Sequence, residues 1–229
     1  MILDLGLTDY ERSYRAQREA VSRRRLGEIE DTLILAEHKN VFTMGRTGSA
    51  DSLLIDKGSL REIGISVLNV DRGGGITFHG PGQLVVYPVI RLRDKWRDLH
   101  KYMRALEDVA IKFLERYSLR PERAPGRTGV WVSGKKVVSI GIGVSGWVTY
   151  HGMSVNINPD LGFFDMIYPC GLRGVKMTSL KELNGIDLPM EEAKERIVSD
   201  FDRVFKGGKK VFSMSGHDDL LSGVRDDRC

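Results

Sequence analysis

The sequence predicts an α+β fold: a mixed, largely antiparallel sheet with flanking helices. Three observations lead there. Strand-like runs come in groups rather than in strict alternation with helices, which argues against a doubly wound parallel sheet. Two long segments, 98–117 and 190–205, carry apolar residues at helical spacing, as Leu99, Met103, Leu106, Val109 and Phe113 do in the first. Three consecutive runs, "GVWVS", "KVVSIGIGV" and "WVTYHGMSVNI", are separated only by turn residues and read as an antiparallel meander.

In chain order, "MILDLGL" (1–7) reads as a short strand. Thr8 with Glu11 makes a capping-box pattern that opens a helix reaching about Arg25. "TLILAEH" (32–38), "NVFTMG" (40–45) and "ISVLNV" (65–70) are strands. The stretch "RGGGITFHGPG" (72–82) breaks all periodicity before "QLVVYPVI" (83–90) returns to strand character. The first long helix, the meander and the second long helix follow. Residues 215–229 form a polar, Asp- and Gly-rich tail. Without an internal repeat or a linker-like composition before residue 185, one catalytic domain is expected over 1–214.

With 229 residues, 41% of them hydrophobic, the chain can bury a sizeable core. Its net charge of +4 is a mild basic excess that does not demand nucleic acid and suits an acidic protein partner. The run Arg23 to Arg25 reads as a solvated helix end. Two cysteines, Cys170 and Cys229, make no disulfide framework, so a reducing compartment is expected. No apolar run approaches the roughly 18 residues of a membrane helix, and Asp4 interrupts any secretory signal. A cytoplasmic location is the expectation.

Two nucleotide-binding patterns fail on context. "GIGVSG" (Gly141 to Gly146), with Asp160 beyond it, fits G-x-G-x-x-G, but β-branched and aromatic residues follow where a helix must begin. "GVWVSGKK" (129–136) ends in Lys136 where a P-loop needs Ser or Thr for magnesium, and Ser133-Gly134 reads as a hairpin turn. His79 and His151 have no ordered acid partner at a recognised ligand spacing. Neither a cofactor nor a metal is expected.

The chemistry concentrates in "DRGGGITFHGPGQLVVYP" (71–88). Its glycines let backbone N–H groups approach a ligand closely, and Arg72, Thr77, His79 and Gln83 are costly polar groups to leave idle. His151-Gly152 repeats the His-Gly pair beside a strand, and "MIYPCGLRG" (166–174) sets Cys170 between Pro169 and Gly171.

The stretch from Arg72 resembles the signature of lipoyl(octanoyl) transferases, the lipoate-biosynthesis protein B family. Arg72, Gly73, Gly74, Thr77, Phe78, His79, Gly82 and Gln83 fill the fixed places of that pattern. Further matching blocks lie at 37–46, 134–144, 150–157 and 168–180, so the similarity spans roughly 30–185. Gly75, where Gln is commoner, and Phe78, where Tyr is usual, depart from it. The resemblance implies a biotin/lipoate protein ligase-like fold. It implies transfer of an octanoyl or lipoyl group from acyl carrier protein to one lysine of lipoyl domains, those of 2-oxoacid dehydrogenases and the glycine cleavage H protein. It makes Cys170 the nucleophile and Lys136 its partner. It lines the acyl site with Arg72, Gly73, Gly74, Gly75, Ile76, Thr77, Phe78 and His79, with Ser139, Ile140 and Gly141, and with Gly152, Met153 and Ser154. His151, Gln83 and Gly171 are supporting candidates.

Physical chemistry fits that implication. A covalent acyl-enzyme lets donor and acceptor proteins dock in turn. About 3% of an unperturbed cysteine is thiolate at pH 7, and a neighbouring ammonium that shifts its pKa by about 1.5 units raises this to roughly half. Lys136, once neutral, can then take the proton of the incoming amine. In a strand over 136–144, Lys135 and Lys136 point to opposite faces, so only one reaches the site. Gly171 is one candidate N–H donor to the developing oxyanion, and a group near His79 is the other. Three other readings stand beside this one: an ATP-dependent ligase, which needs no cysteine; an amidotransferase between carrier domains; and a non-catalytic binding module.

Overall fold

The computed structural model describes residues 1–171 and 174–206. The tail expected at 215–229 lies outside them. In chain order the elements are β1 (Ile2–Thr8), α1 (Tyr10–Leu26), β2 (Thr32–His38), β3 (Val41–Met44), α2 (Lys57–Glu62), β4 (Ser66–Asn69), β5 (Ile76–His79) and β6 (Gln83–Val89). Then come α3 (Leu99–Glu115), β7 (Glu122–Ala124), β8 (Arg127–Val132), β9 (Lys135–Ser145), β10 (Val148–Asn156), α4 (Leu180–Asn184) and α5 (Met190–Lys206).

Seven strands form the main sheet in the order β1-β2-β6-β10-β9-β8-β7. Only β1 and β2 run parallel; the other neighbours are antiparallel, as the sequence predicts. A second sheet, β4-β3-β5, packs beside it. Every residue of β6 is buried, because helices cover both faces of the sheet there. Ile34, Val85, Tyr87 and Tyr150 face Ala16, Ala20 and Val21 of α1. Leu33, Leu35, Leu84, Val86 and Val155 face Tyr102, Leu106 and Phe113 of α3 and Phe201 of α5. Each fully buried side chain of this size contributes roughly 1.5–3 kcal/mol.

The structure departs from the sequence reading in three places. Helix α1 starts at Tyr10 with Asp9 as N-cap and no side-chain cap. Thr8 pairs with His38 as the last residue of β1, so strand pairing removes it from the capping box. The stretch read as aperiodic contains β5, whose four residues pair antiparallel with β3. Finally, β7, α2 and α4 are too short for periodicity to reveal.

Both hairpins of the meander turn through left-handed pairs: Ser133 and Gly134 (φ 51° and 74°), then Gly146 and Trp147 (φ 57° and 62°). Two successive positive φ values match the right-handed twist of the flanking strands. The glycine motif at 141–146 therefore runs along β9 into a hairpin and opens no helix.

Candidate active site

The glycine-rich loop lies close across the main sheet. Gly73 N–H donates to Ile142 O at 2.9 Å, Gly45 N–H to Gly75 O at 3.1 Å, and Arg46 N–H to Arg72 O at 3.0 Å. A Cβ on Gly141 would stand 2.7 Å from Gly73 O, and one on Gly45 2.4 Å from Gly74 O. Glycine is required at both because backbone meets backbone. The buried Arg72 clamps the loop, donating from Nη2 to Thr43 O at 2.7 Å and from Nη1 to Gly73 O at 3.1 Å.

This crossing encloses a cavity of about 40 Å³. Arg72, Gly74, Gly75, Ile76, Thr77 and His79 line it from the loop and β5, and Ser139, Ile140 and Gly141 from β9. Gly152, Met153, Ser154 and His151 line it from β10, and Tyr10, Val85 and Tyr87 complete the wall. A neighbouring cavity of about 230 Å³ shares Gly74, Ile140 and Gly141 and adds Gly73, Met103, Thr128, Trp131, Lys136 and Val175. One predicted lining residue is misplaced. Strand alternation turns Phe78 away from the cavity, and its ring stacks on Phe163 at 4.6 Å among Phe42 and Phe164.

Lys135 and Lys136 part as the strand geometry requires. Lys135 is on the surface, its Nζ 2.8 Å from Glu182. Lys136 is 3% exposed and lines the larger cavity, with Nζ 5.1 Å from the centre of the Trp131 ring. Gly129 (φ 132°) makes room for it: a Cβ there would come within 2.7 Å of Lys136 Cε. Glu107 Oε1 accepts the Gly129 N–H at 3.1 Å.

Cys170 belongs to the one-turn 3₁₀ segment Pro169–Gly171, which packs against β5. The Cys170 side chain lies outside the described atoms. The turn is anchored by Tyr168 N–H to Ser52 O and Leu54 N–H to Met166 O, both at 2.8 Å. Downstream, Lys136 N–H donates to Lys176 O at 2.8 Å and Thr178 N–H to Lys136 O at 2.9 Å. Residues 176–178 are thus stitched to the backbone of Lys136. Gly171 is a correction: its N–H donates to Tyr168 O at 2.8 Å and is committed to closing the turn.

Around the smaller cavity lies a polar network that joins His79, Gln83 and His151 to residues the sequence did not single out. Gln83 Oε1 is 2.6 Å from His79 Nδ1, and Gln83 Nε2 donates to Asn156 Oδ1 at 2.9 Å. His38 Nε2 is 2.6 Å from Tyr87 Oη, and Tyr10 stacks on His79 at 6.0 Å. His151 has φ 53°, donates Nε2–H to Asp71 at 2.8 Å, and is held through its backbone N–H by Gln17 at 2.8 Å. An L-residue with positive φ inside a strand persists only where its surroundings hold it. Burial pushes His38 and His151 down to about 4, Asp71 opposing this at His151. Burial, with His38 adjacent, holds His79 well below the usual histidine range. At Asp71 burial acts upward, but hydrogen bonds from His151 and Tyr150 outweigh it and keep the carboxyl below its usual range. Asp71 and Tyr87 lay within the stretch 71–88 without an assigned role, and Tyr10 carried no local signal. His38 lay within the block at 37–46 but had no assigned role. Among the described residues, no cluster of three His, Cys, Asp or Glu side chains could hold a metal ion.

The family model for the lipoyl protein ligase A/B catalytic domain matches residues 9–202. An octanoyltransferase of Rubrobacter xylanophilus is 48% identical over 201 residues, which cover 87% of this chain and 90% of that protein. An octanoyltransferase of Christiangramia forsetii is 38% identical over 226 residues, covering 91% and 97%. Among solved structures, a lipoate-protein ligase A bound with ATP superimposes with a TM-score of 0.75 at 16% identity, over 97% of this chain and 92% of that one. At that identity the likeness speaks to the fold alone.

Proposed function

The chain belongs to the lipoyl protein ligase A/B catalytic domain family, and on that footing we propose that it is an octanoyltransferase working through an acyl-cysteine. In the first half-reaction the Cys170 thiolate attacks the octanoyl thioester of acyl carrier protein. The new S–C bond forms, the carrier thiolate leaves, and Lys136 gives it a proton. In the second, a lysine of a lipoyl domain attacks the acyl-enzyme, the amide forms, and the Cys170 thiolate returns opposite the Lys136 ammonium. The acceptors are the lipoyl domains of 2-oxoacid dehydrogenases and the glycine cleavage H protein. The reaction needs neither ATP nor a cofactor, runs in the cytoplasm, and is carried by one catalytic domain.

The observation that supports this reading most is Lys136. Withdrawing a lysine from water is expensive, and ligand pockets place a few charged groups among apolar walls. Here the lysine is 3% exposed, lines a cavity of about 230 Å³, and shares backbone hydrogen bonds with Lys176 and Thr178. Its neighbour Lys135 lies at the surface, paired with Glu182.

The test is the intact mass of the chain after incubation with octanoyl-acyl carrier protein without ATP, with Cys170→Ala as control. An octanoyl adduct is expected that is absent from the variant and discharged by a lipoyl domain. Domain octanoylation that requires ATP and free octanoate, with no adduct, would replace the transferase by a ligase.

A further inference from the structure

The incoming lysine brings a proton problem that a Cys–Lys pair solves only by half. At neutral pH its amine arrives as an ammonium, and amide formation strips it of two protons. Lys136, neutral after the first half-reaction, accepts one of them. The second is released only after the N–C bond has formed, when the nitrogen is far more acidic and a weak base is enough. This inference rests on the acyl-cysteine reading above.

The hydrogen bonds around His79 define such a base. Thr178 O and Phe78 O are backbone carbonyls and can only accept. Asn156 Nδ2 therefore donates to Thr178 O at 2.9 Å, which leaves Asn156 Oδ1 to accept from Gln83 Nε2 at 2.9 Å. Gln83 Nε2 also reaches Phe78 O at 3.2 Å, so the amide is fixed from both sides. Gln83 Oε1 must then accept from His79 Nδ1 at 2.6 Å. The Nδ1–H tautomer of His79 follows, and its Nε2 keeps an open lone pair on a residue that lines the cavity. β5, which carries His79, packs against the turn of Cys170.

We propose that His79 is a second general base of the transfer, with Nε2 taking the proton from the attacking nitrogen once the N–C bond has formed. The carbonyl then re-forms, the C–S bond breaks, and the sulfur leaves as thiolate opposite the Lys136 ammonium. The imidazolium passes its proton to solvent. The two protons of the original ammonium are thereby placed, one on Lys136 and one in water. The groups facing His79 from the packed elements are Tyr10 of α1, His38 of β2, Tyr87 of β6, His151 of β10 and Arg72. None of them is a carboxylate that would hold the ring protonated, so it waits neutral.

Amine and thiol acceptors should respond differently to loss of His79, because a thiolate that attacks a thioester leaves no proton to remove. The acyl-enzyme is first formed on the unchanged chain and on His79→Gln. Each is then discharged at pH 7 with a lipoyl domain or, separately, with unacylated acyl carrier protein, whose thiol reverses the first step. His79→Gln should lower the ratio of amine to thiol discharge by roughly 100-fold or more. Equal loss in both arms would make the residue structural, and loss in neither would remove it from the reaction; either result overturns the proposal. Failure of the unchanged chain to form any acyl-enzyme is read first and would overturn the transferase reading together with this one. Because His79→Gln disturbs a buried network, the unchanged chain labelled with ¹⁵N-histidine provides a second measurement. Its His79 signals should show Nδ1 protonated and Nε2 bare, and a proton found on Nε2 would refute the proposal.

Discussion

Gly152→Ala tests whether the cavity wall is as tight as its geometry says. Gly152 is in β10 between two antiparallel neighbours, β6 and β9. A Cβ there would lie 2.3 Å from Val86 O and 2.5 Å from Pro88 Cδ, about 1 Å short of the 3.4 Å at which ordinary contact begins. Both obstacles belong to β6, a fully buried strand, so no flexible side chain can swing aside. The two strands must part by about that distance, at a typical overpacking cost of about 1–3 kcal/mol, with roughly 1 kcal/mol more for each ladder hydrogen bond lost. A total near 3 kcal/mol lowers the melting temperature of a chain this size by about 6–12 °C. The control is Gly126→Ala, where φ is 72° but nothing stands within 4 Å; it should cost only the left-handed penalty of about 1–2 kcal/mol. Thermal melts followed by circular dichroism read both, and the mass of the octanoyl adduct reads the cavity. If Gly152→Ala melted no lower than Gly126→Ala and loaded at the normal rate, the close approach of β6 and β10 would be wrong.

Two further predictions concern charge. Lys136→Met should slow alkylation of Cys170 at pH 7 about 15-fold, the ratio between a half-ionised thiol and an unperturbed one. Lys135→Met, which removes only the surface pair with Glu182, should leave that rate as it was. Peptide masses separate Cys170 from Cys229, and equal rates in the two variants would unseat Lys136. Acid stability should follow the buried histidines. His38 and His151 titrate near 4 in the fold, below the ordinary 6.5 of the unfolded chain. Folding is therefore strongest above pH 6.5 and weakens as pH falls toward 4, by roughly 3 kcal/mol per histidine at most. Urea midpoints measured across that window should fall, and His38→Gln should flatten the slope by about one proton; a level profile in the unchanged chain would contradict the burial of both rings.

The sequence by itself determined the parts of this protein that depend on near neighbours. Helical spacing marks α3 and α5 because one face of each meets the same core along its whole length. The Ser133-Gly134 turn and the run of β-branched residues after Gly146 disposed of two nucleotide motifs, and both hairpins formed as read. The glycine-rich block and the cysteine turn stood out from the residues alone, and the resemblance singled out Lys136. Only the tertiary structure decided what these pieces do to one another. Thr8 was taken from a helix cap by a partner 30 residues away, and four residues in a glycine-rich stretch became a strand because β3 lay beside them. Alternation allowed Phe78 to point either way, and the ring cluster under β5 chose. Likewise it separated Lys135 from Lys136, but Glu182 on one side and the cavity beside Trp131 on the other chose which is buried. The network of Tyr10, His38, Asp71, Tyr87 and His151 joins α1 to strands of both halves of the chain, down to a hydrogen bond from His151 to Gln17 across 134 residues. Beyond His151, how such a site joins up leaves no local pattern, because hydrogen-bond satisfaction among buried groups is settled by whichever elements packing brings together.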